Sequence, residues 1–201
     1  MATNGGASGP GGAGVSILEK EKEKLVVGWG IVLAIAAAAA SAAAADPLAN
    51  HLELPWASTK PFPTWSSFYP FYLTQHQDVM CRRLHVVGST IVVLMVALDV
   101  HLGLSLALAS CVGVTCFSLT RSMETGVVEM AVVIFTLLAS YRRLTKSLTK
   151  PLVMLAVGYG FAWCGHFFFE LNRPATFIYP TLSLAGDLSL WKETVTGERP
   201  W

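Results

Sequence analysis

Four side chains raise the first chemical question: His76, His85, His166 and Glu170. His166 and Glu170 stand four residues apart in the run GHFFFELNRPATF, so on a helix they share one face. Such a pair can offer a nitrogen and an oxygen to one ion, or a ligand and the carboxylate that orients it. Nitrogen and oxygen donors suit iron, manganese or zinc. His76 and His85 lie in FYLTQHQDVMCRRLHVVG. Nine residues of unbroken helix put them on opposite faces, so they converge only if the helix breaks near Gln77–Asp78. Three imidazoles that share an ion at bonds of about 2 Å must come within roughly 10 Å of one another. Two other readings stand beside the metal site: a polar rim where a membrane helix meets water, and a hydrogen-bonded network with no ion.

Two cysteines sit close to these histidines in sequence, Cys81 and Cys164, which makes a mixed Cys/His zinc site conceivable. Cys164 is two residues from His166 and points about 200° away around a helix, a direction that suits core packing. His51 lies in a polar loop before Pro55, and His101 follows Asp99 in an apolar stretch; neither is expected in the site.

The elements that must position these groups belong to a membrane protein. Of the 201 residues 53% are hydrophobic and only 13% charged, and the mean hydropathy is +0.53. That is about half the charge of an ordinary soluble domain. A net charge of +1 leaves no basic footprint for nucleic acid. The four cysteines form no CxxC pair, which argues against a structural zinc ribbon.

Residues 1–24 form a Gly/Ala/Ser-rich tail that ends in alternating charge, and an unstructured lead-in is expected there. Residues 25–45 are apolar or small throughout, and a helix of that length spans roughly 30 Å, enough for a transmembrane segment or signal anchor. Residues 46–65 are dense in proline and aromatics, an interfacial connector leading to a short helix around 66–80. Apolar segments follow at about 84–103, 104–119, 127–140 and 151–169. The expected fold is therefore an all-α polytopic membrane bundle of about four to five apolar segments, with an interfacial histidine cluster. His85 begins one segment and His166 lies near the end of another. An even number of crossings between them returns both to one face of the bundle.

Two stretches together, FYPFYLTQHQDVMCRRLHVVGS and GYGFAWCGHFFFELNRPATFIYPTLSLAGD, closely resemble the membrane family that includes the yeast endoplasmic-reticulum 2-hydroxy fatty acid dioxygenase. The residues that carry the resemblance are Tyr72, His76 and His85, then Gly165, His166, Phe169, Glu170, Arg173, Pro174 and Ala175. It covers residues 66–190, with 191–201 as a C-terminal tail. The resemblance implies an Fe(II)-dependent dioxygenase of the endoplasmic-reticulum membrane that shortens 2-hydroxy fatty acids by one carbon, in alpha-oxidation and sphingoid-base catabolism. It implies Fe(2+) as cofactor, and a 2-hydroxy fatty acid, dioxygen and membrane lipid as partners. It also implies His76, His85 and His166 as iron ligands, Glu170 as fourth ligand or orienter, and Arg173 pairing with a substrate carboxylate. Snorkelling to lipid headgroups is the alternative for Arg173. Asp78 and Asn172 are secondary candidates, and Asp187 is either a helix cap or a partner that orients a ligand.

Overall fold

The computed structural model describes residues 60–201, and among them every regular element is helical. The expected tail, the 25–45 segment, most of the 46–65 connector and His51 lie outside the described residues. Helix α1 spans Trp65–Thr74, α2 Val79–Ala97, α3 Val100–Leu119, α4 Val127–Thr145 and α5 Thr149–Gly165. A π-helical turn, His166–Glu170, continues α5; a 3-10 turn, Ala175–Phe177, and α6, Pro180–Val195, complete the chain.

Local chemistry sets the boundaries. Thr64 and Ser67 form a reciprocal capping box that starts α1, whose interior holds Pro70. Asp78 caps α2 by accepting from the Met80 and Cys81 backbone N–H groups, and Asp99 caps α3 by accepting from His101 and Leu102. The short helix expected over 66–80 therefore stops at Thr74. The apolar run expected over 84–103 divides at Leu98–Asp99 instead of at residue 103. In both places an aspartate satisfies backbone donors that an apolar periodicity cannot reveal.

Helices α2 to α5 run alternately up and down, with α2 packed mainly on α5 and α3 mainly on α4. Four helices therefore separate His85 from His166, and both stand at the same end of the bundle. Three helical stretches are long and apolar enough to cross a membrane: Val79–Ala97, Val100–Leu119 and Thr149–Glu170. Their outward faces carry exposed large apolar side chains such as Leu94, Leu108 and Leu152, as expected where lipid replaces water. This architecture fits an integral membrane protein.

The core has two parts. An aromatic group (Phe68, Tyr72, Phe117 and Tyr179, with Leu182 and Leu190) joins α1 and α6 to the histidine end. A second group, which includes Val96, Leu102, Leu137, Tyr141 and Met154, fills the opposite half. At that far end Asp99 Oδ2 accepts from the Tyr141 hydroxyl at 2.9 Å and from Lys150 Nζ at 2.6 Å. This contact ties the α2–α3 turn to α4 and the start of α5.

Candidate metal centre

The break between α1 and α2 positions His76. The chain leaves α1 at Thr74, turns through Gln75–Asp78 and re-enters a helix at Val79. Glu170 holds this turn: its two carboxylate oxygens accept the backbone N–H groups of Gln77 at 2.9 Å and Asp78 at 2.7 Å. Arg82 Nη1 donates to the carbonyls of His76 and Gln77 from the other side. His85 lies one turn and a half into α2, on the same face as Cys81. The π turn presents His166, and it ends where Leu171 adopts a left-handed backbone with φ 55°.

These elements bring three imidazoles together. Ring centroids are 4.4 Å apart for His76 and His85, 4.7 Å for His76 and His166, and 5.0 Å for His85 and His166. Ligand atoms of the three histidines and Cys81 all lie within 4.8 Å of one another, and all four residues are buried. That spacing is close to what bonds of about 2 Å to one shared ion require. Gly165 permits the approach: a Cβ there would stand 3.0 Å from Cys81 Sγ and 3.2 Å from its Cα. Cys164 is not part of the cluster.

Each ring is oriented through Nδ1. His76 Nδ1 lies 2.7 Å from the Tyr72 backbone oxygen, His85 Nδ1 2.8 Å from Asp187 Oδ1, and His166 Nδ1 2.7 Å from Asn172 Oδ1. The Asn172 amide nitrogen donates to the Gln75 carbonyl, so its oxygen is the atom that faces His166. A carbonyl, a carboxylate and an amide oxygen can only accept, so each Nδ1 carries the proton. Nε2 is then the ring nitrogen that each histidine has left to offer an ion. The Nε2 atoms of His76 and His85 are buried with no hydrogen-bond partner. Burial, followed by the neighbouring His85, pushes the His76 pKa down to about 3, which keeps that ring neutral. Burial acts to raise the Asp187 pKa, but the His85 ring and the hydrogen bonds from His85 and Tyr72 outweigh it and hold the carboxyl below its usual range. Buried imidazoles held from behind by acceptors are a donor set that could hold a metal ion.

The expected site residues thus fall into different places. His76, His85 and His166 converge. Glu170 stands outside the four-residue cluster, because its carboxylate is engaged by the turn that carries His76. Arg173 is exposed, its guanidinium 5.2 Å from the centre of the Phe177 ring. Asp78 is the α2 cap, and Asn172 and Asp187 are the acceptors behind two of the ligands. The Tyr72 carbonyl was not legible as the third acceptor, since a backbone oxygen leaves no mark in residue type. The Tyr72 hydroxyl also donates to Asp187. Close contact of Gly186 with the Tyr72 ring makes room for that bond: a Cβ there would fall 2.8 Å from two ring carbons.

The Glu170 geometry carries a prediction. Glu170→Gln replaces one of two charge-assisted acceptors with an NH₂ that faces an N–H donor, and should destabilise by about 1–2 kcal/mol. At this chain length that lowers Tm by about 2–8 °C in detergent. Metal content should stay at the wild-type level. Loss of bound metal with an unchanged Tm would instead identify Glu170 as a ligand.

Above the histidines a cavity opens into the bundle. Tyr72, the three histidines and Asp187 form its head, and its walls are mostly apolar, with the hydroxyls of Ser89, Ser110, Thr181 and Ser183 among them. Fold and site together define an all-helical membrane protein with a buried His/Cys cluster, able to hold a metal ion, at the head of a largely apolar cavity. Residues 62–199 match the model of the family described as 2-hydroxy-palmitic acid dioxygenase Mpo1-like. This covers more than half of the chain, which belongs to the Mpo1-like family. No curated protein and no solved structure matches it.

Proposed function

We propose that the protein is an Fe(II)-dependent dioxygenase of the endoplasmic-reticulum membrane that shortens 2-hydroxy fatty acids by one carbon. One observation carries this reading: three buried imidazoles, each fixed through Nδ1, bring their ligand atoms within 4.8 Å of one another at the head of a cavity. The family description supplies the reaction class. The residues fit iron, since a site of neutral imidazoles suits a divalent first-row metal and leaves positions for other ligands. His76, His85 and His166 would hold the ion, with Cys81 beside them. Bound ferrous iron would supply chelation of a 2-hydroxy carboxylate and dioxygen activation, the second of which redox-silent zinc lacks.

The protein's own groups do the rest. The Tyr72 carbonyl, Asp187 and Asn172 keep the Nδ1 protons in place, so the rings stay in one tautomer. Glu170 acts as a positioning residue for the turn that carries His76. The apolar walls take the acyl chain and exclude water from the head. The net reaction balances without a further reductant: a 2-hydroxy acid and O₂ give the acid one carbon shorter, CO₂ and water.

The test is anaerobic purification, reconstitution with Fe²⁺ or Zn²⁺, and measurement of O₂ uptake with product mass spectrometry. Iron-loaded protein should consume O₂ and form CO₂ and the shortened acid in equal amounts, and zinc-loaded protein should do neither. Iron-loaded, folded protein that takes up no O₂ with any 2-hydroxy acid from C10 to C20 overturns the proposal.

A further inference from the structure

The cavity is bounded along its length by α5. From His166 the lining runs through Ala162, Tyr159 and Gly158 to Leu155 and Met154. The twelve residues from His166 to Met154 rise about 18 Å. At the head the lining is polar. At the far end it merges with the apolar group of Leu137, Met154 and their neighbours. Beneath that floor Tyr141 packs in the same group, its hydroxyl pinned to Asp99, which also binds Lys150 one turn before Met154. The cavity therefore runs from a polar end at the histidines to an apolar end that is braced from outside.

Two positions on α5 have opposite effects on its length. Gly158 lies about 12 Å from the head by helix rise. It has no side chain, and a Cβ there would meet only Val92 Cγ2, at an ordinary 3.7 Å. The open middle of the cavity thus depends on a missing side chain, with no backbone conformation that demands glycine. Met154 is buried at 4% exposure and lines the cavity at its apolar end.

We propose that α5 is the ruler of this cavity: Gly158 keeps the middle open and Met154 closes the floor, so these two residues set the length of acyl chain admitted. The proposal rests on the acyl substrate argued above and names the side chains that select among substrates of that class. With C–C bonds of about 1.5 Å, an extended hydrocarbon advances about 1.25 Å per carbon, so about 14 carbons reach from the histidines to Met154. A side chain at Gly158 stops the chain after about 10 carbons on the same scale.

The test uses the full chain in detergent micelles, with Gly158→Ala, Gly158→Leu, Met154→Ala and Met154→Phe. Native mass spectrometry with an equimolar mixture of saturated C8–C20 fatty acids reads which lengths are retained. O₂ uptake with 2-hydroxy acids of the same lengths reads turnover. Gly158→Leu should move the preferred length down by about four carbons, with Gly158→Ala between it and wild type. Met154→Ala should move it up by about two to four carbons and Met154→Phe down. Circular dichroism identifies any variant that fails to fold, and the milder or opposite variant at that position then decides. Unshifted length profiles in folded variants at both positions overturn the ruler, even if wild-type turnover upholds the dioxygenase reading. Shifted retention without O₂ uptake in wild type upholds the ruler and overturns the dioxygenase reading.

Discussion

His166→Ala is expected to abolish stoichiometric metal binding and to lower turnover of a 2-hydroxy fatty acid by at least about 100-fold. Loss of a group that merely orients a ligand typically costs 10–100-fold, and this substitution removes a ligand itself. It deletes one of three Nε2 donors and leaves Asn172 Oδ1 without the Nδ1–H that it accepts. The helix should persist, because the π turn is held by backbone bonds from Leu171 and Asn172 to the His166 carbonyl. Metal analysis of anaerobically purified protein, with circular dichroism as the folding control, checks both parts. His101→Ala serves as the comparison: that ring is half exposed beside Asp99 at the far end, and metal content should not change. Wild-type metal content in folded His166→Ala would remove His166 from the ligand set and with it the three-histidine site.

Asp187→Asn carries the second large effect. The carboxylate accepts from His85 Nδ1 at 2.8 Å and from the Tyr72 hydroxyl, so it fixes the tautomer of one ligand and is itself held in place. An amide keeps the shape but removes the charge, and one of its faces is a donor that would oppose the imidazole N–H. Metal affinity should fall by about 10–100-fold, measured by competition with a chelator. Tyr72→Phe should cost less than Asp187→Asn. It removes only the hydroxyl and preserves the backbone oxygen that orients His76. Equal affinities for Asp187→Asn and wild type would show that the carboxylate does not orient His85.

Much of the site was legible from residue types. The spacing of His76 and His85 demanded a break near Gln77–Asp78, and the chain turns there. An even number of crossings between His85 and His166 would bring both to one end, and both stand at one end. The family resemblance named the same three histidines. Glu170 was expected as a fourth ligand or an orienter, and residue spacing alone does not choose between the two. Here its two oxygens are drawn to the unpaired N–H groups of Gln77 and Asp78, donors that exist only because the helix breaks. Sequence offered both Cys81 and Cys164 for a mixed site, and only Cys81 joins the histidines, because its approach depends on Gly165 of another helix.

By itself, the sequence determined the quantities that are sums or periods along the chain. These are a helical, membrane-suited composition, the apolar runs, the break between two histidines, and the identity of the groups able to bind a metal. Tertiary structure alone decided which oxygen stands behind each imidazole, and therefore which nitrogen is free. Those partners come from a backbone carbonyl four residues back, an asparagine six residues on and an aspartate 102 residues away. It also decided that the apolar segments leave a cavity between them. Hydrophobicity requires that such segments pack, but it does not say where a missing side chain such as Gly158 leaves them apart. The physical reason is range: periodicity and composition act locally along the chain, whereas tautomers and cavities are set by contacts between segments that only folding brings together.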